Sequence, residues 1–226
     1  MTHQPTGTVL FGDVVDSRRD PGSSAWLRAL RSDLEAAFPP AERLATFGFA
    51  QGDEVQGLLA PGADPFRAVL RAALHPDARE LRWAVVAGEV EPGSGPATER
   101  TGPAFHAARD LLAKAKASRS GLVAVTGDAR ADALLADLGP LLPALLADLT
   151  TRQREIGRLI LIEDLRRAEA ADRLHVSRAT VSVIADRGRI RHVAALGRAL
   201  STVFREGVER THGGLAQPRT TAGSAA

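Results

Sequence analysis

Two acidic motifs forty residues apart constrain this chain more than any other feature. The first is Phe11-Gly12-Asp13-Val14-Val15-Asp16-Ser17-Arg18, and the second is Gln51-Gly52-Asp53-Glu54-Val55-Gln56. Each sets a carboxylate beside a Gly at the end of a short apolar run, where a strand finishes or turns. If the fold brings the strand ends together, the two carboxylates, Asp13 and Asp53, form an oxygen-rich site suited to Mg²⁺ or Mn²⁺. A hard cation held that way is a common partner of nucleotide phosphates. Two acidic surface turns are the plainer reading, and spacing alone does not separate the two.

The 226 residues suffice for one large domain or two small ones. No apolar run approaches the roughly 18 to 20 residues of a membrane span, and no basic-then-apolar leader opens the sequence. Cys is absent, which excludes a disulfide framework and a thiolate metal site. A cytoplasmic location is expected. Tyr is also absent, so aromatic platforms for single-stranded nucleic acid are not expected. Charge is unevenly placed. Residues 1–149 carry 15 basic and 19 acidic side chains, whereas residues 150–226 carry 14 and 8. An acidic front and a basic back predict two parts with different partners, the basic one suited to DNA.

The pattern of the front part predicts a strand at Thr8–Phe11, then a helix from Ser23 or Ser24 to about Phe38. Trp26, Leu27, Leu30, Leu34 and Phe38 share one face of that helix, and Pro39-Pro40 stops it. Strands at 44–49 and 55–59 form a hairpin, and a helix covers 65–74. A strand at 82–86, a helix at 103–117 and a strand at 122–126 complete the part. The expected order is β-α-β-β-α-β-α-β: an α+β fold, a mostly antiparallel sheet with helices on one face.

Three segments of this front part resemble the SatD family of small bacterial proteins. They are Gly12-Asp13-Val14-Val15-Asp16-Ser17-Arg18, Gly52-Asp53-Glu54-Val55-Gln56-Gly57-Leu58 and Gly102-Pro103-Ala104-Phe105-His106-Ala107-Ala108-Arg109. More distantly, the motif order over about 115 residues is similar to the ferredoxin-like palm of class III nucleotide cyclases and diguanylate cyclases. The resemblance implies that Asp13 and Asp53 are metal ligands, with Glu54 a further one. It also implies that Asp16, Ser17 and Arg18 lie in a phosphate-receiving turn and that Arg109 contacts phosphate. Two features depart from the cyclase pattern. Phe49 stands where those enzymes place a base-reading Lys, and His106 and Arg109 are three apart where an Asn and an Arg are four apart. The departures fit a nucleotide-sensing or degenerate domain, and equally an enzyme with another recognition scheme; no catalytic residue is assigned.

Residues 131–149 are rich in Leu and Pro, as a linker or an interface helix would be. The back part, 150–210, opens with a capping-box pattern at Thr150 and Gln153. Residues 168–185 then resemble the helix-turn-helix of bacterial regulators, with Ser177 capping the second helix. Ser177, Arg178, Thr180 and Ser182 are the expected DNA contacts, and Arg187 and Arg189 extend a basic flank. Residues 211–226 are expected to be a disordered tail. The sequence therefore predicts a regulator that binds double-stranded DNA through its back part and a metal-bound nucleotide through its front part, with a lean towards a homodimer. The alternatives are an active nucleotidyl enzyme targeted by its helix-turn-helix, and an adaptor that binds only proteins.

Overall fold

The computed structural model describes residues 5–16, 23–50 and 53–212. Ser17, Arg18 and residues 213–226 of the expected tail lie outside these, as do the side chains of Ser23 and Ser24; Thr211 and His212, the first two residues expected in the tail, are instead helical. The elements run β1 (Thr6–Val14), α1 (Ser23–Ala37), β2 (Arg43–Ala50), β3 (Glu54–Leu59), α2 (Phe66–Ala73), β4 (Leu81–Glu89), α3 (Pro103–Ser118) and β5 (Leu122–Val125). This is the α+β order expected from the pattern. The sheet order is β2-β3-β1-β4-β5. The β2–β3, β3–β1 and β1–β4 pairs are antiparallel and β4–β5 is parallel, so the sheet is mixed.

Strand alternation assigns β1 two faces. Leu10 and Val14 join Val55, Trp83 and Val85 in a core layer with α1 and α2. The apolar face of α1 is the one expected: Trp26, Leu27, Leu30, Leu34 and Phe38 are all buried. Val9 and Phe11 join Ala84 and Val86 in a second layer, which Phe105, Ala108 and Leu112 of α3 cover. The expectation of helices on one face is therefore corrected. The helix between parallel β4 and β5 crosses over the face that α1 and α2 leave open, because both faces of this sheet are apolar and both must be covered. The first strand is also longer than expected. It continues through Gly12 and Asp13 to Val14, so both are strand residues. Gly12 is required by packing: an added Cβ would lie 2.8 Å from Val55 and 2.9 Å from Trp83.

Beyond the sheet come α4 (Ala129–Leu138), α5 (Leu141–Ala147), α6 (Thr151–Leu161), α7 (Arg167–Arg173), α8 (Arg178–Arg187) and α9 (Ile190–His212). The Leu/Pro-rich stretch forms α4 and α5, which bury Leu135, Leu142 and Leu146 and leave Leu134 and Leu141 exposed. The long α9 returns to the sheet layer, where Phe204 meets Phe66 edge-on at 5.8 Å. One continuous cluster of buried side chains runs from Leu10 in β1 to Val208 in α9. Among the described residues, no helix is long and apolar enough to cross a membrane.

Candidate functional site

Asp13 projects on the α3 face of the sheet, one alternation beyond Phe11. In register, Glu54 of β3 lies directly opposite it on one side and Arg82 of β4 on the other. Directly opposite residues share a face, so Glu54, Asp13 and Arg82 form one polar row across three strands. The α3 helix closes over this row. Lys116 Nζ donates to Asp13 Oδ1 at 2.7 Å. The Arg109 guanidinium, two turns earlier on α3, stacks over the Phe11 ring at 5.6 Å. Gln56 Nε2 donates to Glu54 Oε1 at 2.6 Å. Asp13 is 9% exposed, whereas Arg109 is exposed. The result is a polar cluster at the end of the sheet: Asp13 and Glu54 lie side by side on neighbouring strands, Lys116 pairs with Asp13, Arg82 lies opposite Asp13 on β4, and Arg109 lies over Phe11.

Of the three expected metal ligands, the structure therefore brings Asp13 and Glu54 into register. Asp53 sits one position earlier and is tied in through its carbonyl, which accepts the Val14 N–H at 3.1 Å. Among the described residues, no group of three or more His, Asp or Glu side chains converges as a metal cage. Asp13 instead carries the Lys116 ammonium as its cation. Two carboxylates still fit Mg²⁺, which usually keeps several waters and takes phosphate oxygens as its other ligands. Asp16 is exposed in the turn after β1 with a φ of 55°, a left-handed conformation that Asp tolerates well. His106 is exposed, and Phe49 packs against the core.

Three members of the row were not legible in the sequence: Arg82, Gln56 and Lys116. Each depends on pairing register or on where α3 crosses the sheet. One signal pointed to Lys116. It stands seven residues after Arg109, which on a helix is the same stripe, and the chain has only two Lys among its 29 basic residues.

A second site lies on the other side of the molecule's core, in α6–α8. Thr150 and Gln153 make the expected capping box at the start of α6. The turn after α7 passes through His175, whose φ is 53°. Ser177 then caps α8 by accepting the Thr180 N–H at 3.0 Å. Ala170, Ala171, Val181 and Ala185 are buried where α7 and α8 cross, as small side chains permit. This leaves Arg178, Ala179, Thr180 and Val183 exposed along α8, while Ser182 is half-buried. The Ser177 and Thr180 hydroxyls lie 2.9 Å apart and bond to each other. Arg187 is exposed at the far end of α8, about 14 Å from Arg178 at 1.5 Å per residue, and Arg189 is exposed just past the C-cap Gly188.

A chain of ion pairs links α1 and α2 of the sheet layer to α6 and α7. Asp33 of α1 accepts from Arg71 of α2 at 2.8 Å and from Arg158 of α6 at 3.0 Å. Glu163 then lies between Arg158 (3.6 Å) and Arg173 of α7 (3.7 Å). Beside this chain, burial and the neighbouring Arg158 charge hold the His75 imidazole below its ordinary value, against the opposite pull of Asp33 and Asp77. No protein-family model matches the chain, and no curated protein matches it.

Proposed function

We propose that this protein is a DNA-binding transcriptional regulator whose sheet layer binds a nucleotide together with Mg²⁺ or Mn²⁺. The observation that carries the reading is α8: a capped helix, seated on α6 and α7 by small buried residues, that exposes Arg178, Ala179, Thr180 and Val183 from its first two turns. A helix presented that way fits the major groove end-on, and an Arg at its start can meet a guanine edge or a phosphate. The basic excess after residue 150 supports the same partner.

The nucleotide half of the reading rests on the polar row. Asp13 and Glu54 would hold the metal, which supplies charge neutralisation to a phosphate chain. Arg82, Arg109 and Lys116 stand around it as phosphate partners. The strand order β2-β3-β1-β4, with α1 and α2 on one face, supports a cyclase-related, SatD-like palm of ferredoxin-like type. The exposed Leu134 and Leu141, together with the two-fold habit of such DNA readers, favour a homodimer.

The deciding experiment measures binding of the full chain to labelled duplex DNA across a salt series. A DNA reader loses affinity steeply with salt. Binding that is absent at low salt overturns the regulator and favours a protein-binding adaptor. A thermal-shift panel of nucleoside triphosphates, with and without Mg²⁺ or Mn²⁺, tests the sheet site. A nucleotide recovered unchanged identifies a sensor, and released pyrophosphate identifies a cyclase or transferase.

A further inference from the structure

A half-open cavity of about 160 Å³ lies between α2, β4, α5 and α6, on the sheet face opposite Asp13. Its apolar walls include Ala73, Leu81, Trp83 and Leu146. Arg154 of α6 also lines it, and the Arg154 Nε is buried without a hydrogen-bond partner among the described residues. A buried donor left unpaired is costly, and a native fold normally satisfies it. Here the unpaired group is one edge of a guanidinium that borders an apolar hollow.

We propose that this cavity binds a small apolar monocarboxylate, with its ring or chain against Trp83 and Leu146 and its carboxylate on Arg154. An apolar cavity of this size accepts a six-membered ring. The Arg154 side chain has no ion pair among the described residues, and a carboxylate in the cavity gives its guanidinium a charge-assisted partner in the planar geometry that guanidinium favours. Glu80 and Arg79 also border the cavity. The Glu80 charge disfavours a polyanion, so this ligand is not the nucleotide of the polar row.

The position makes the site regulatory. Arg154 follows Gln153 in the first turn of α6, and Gly188 at the end of α8 packs on Gln153 so closely that an added Cβ would lie 3.1 Å from it. A ligand drawing on Arg154 therefore acts on the turn against which α8 is seated. This consequence rests on the DNA-binding reading; occupancy of the cavity does not.

The test uses the full chain carrying Trp26→Phe, which leaves Trp83 as the sole tryptophan of the two. Sodium benzoate is titrated while Trp83 fluorescence is followed, with benzyl alcohol as the uncharged ring of similar size. Benzoate should give a saturable change with a dissociation constant in the low-millimolar range or tighter. Affinity should fall roughly tenfold or more for benzyl alcohol and in Arg154→Gln. It should be lost in Ala73→Leu, which fills the hollow and leaves Arg154 in place. No saturable change, equal affinity for benzyl alcohol, or full affinity in Arg154→Gln each overturns the site. In parallel, benzoate should shift the affinity for a labelled duplex in wild type and not in Arg154→Gln. Saturable benzoate binding with unchanged DNA affinity overturns the regulatory half. Absence of DNA binding with or without benzoate overturns the DNA reading, and the fluorescence titration still decides the site.

Discussion

Lys116 and Asp13 show how one ion pair can hold two meanings. The pair closes α3 over β1 at 2.7 Å, yet Lys116 is partly exposed, so as a salt bridge it contributes at most about 1 kcal/mol. Its larger effect is on what else Asp13 can bind. Lys116→Gln should strengthen Mn²⁺ binding in the absence of nucleotide by several-fold and weaken binding of the metal–nucleotide pair, as read by calorimetric titration. A loss of both would assign Lys116 to folding alone. Gly12 is the packing counterpart. Gly12→Ala forces a methyl against Val55 and Trp83 and should destabilise the fold by about 1–3 kcal/mol in urea denaturation, an effect independent of metal. His75 gives the pH dependence. Burial favours its neutral form, so the folded state takes up a proton less readily than the unfolded chain. Its contribution is full above the ordinary value of about 6.5 and is lost as pH falls below it towards the depressed folded value. His75→Gln should flatten the fall in urea midpoint on going from neutral to mildly acidic pH.

At the scale of elements, α8 is where a structural role can be told apart from the proposed recognition role. Ser177 is both an expected DNA contact and the N-cap, and Ser177→Ala should cost about 1 kcal/mol of stability through the lost cap. Arg178 has no ion pair among the described residues, so Arg178→Ala should leave the thermal midpoint in place while DNA affinity falls by about 1–3 kcal/mol at one base position or phosphate. A drop in midpoint equal to that of Ser177→Ala would make Arg178 structural. Most of these elements were legible in the sequence, because strand alternation, the apolar stripe of α1 and the capping signals at Thr150 and Ser177 are local. The crossing of α3 was not. The Ala-rich stripe of α3 shows that one face is buried, but only the parallel pairing of β5 with β4 shows against which face of the sheet it packs.

Across the whole molecule, the acidic front and basic back of the sequence meet in one core. Asp33 is the clearest link, a largely buried carboxylate shared by Arg71 and Arg158 from two distant helices. Asp33→Ala leaves the Arg71 guanidinium without its carboxylate and Arg158 with Glu163 alone, and should cost about 2–4 kcal/mol, loosening α6 along with the sheet layer. Because the buried cluster is continuous from β1 to α9, thermal unfolding should be a single transition with coincident signals from circular dichroism and Trp fluorescence; two separated transitions would show independent units. The sequence by itself determined what depends on near neighbours: the order of strands and helices, their caps, the basic bias after residue 150 and the candidate residues Asp13, Glu54, Arg109 and Arg178. The tertiary structure alone decided what depends on residues far apart in the chain. It put Glu54 rather than Asp53 opposite Asp13, because cross-strand register is set by the whole ladder. It delivered Lys116 to that carboxylate across 103 residues. It left Arg154 beside an apolar hollow, because four elements that pack against one another for separate reasons do not fill the space between them.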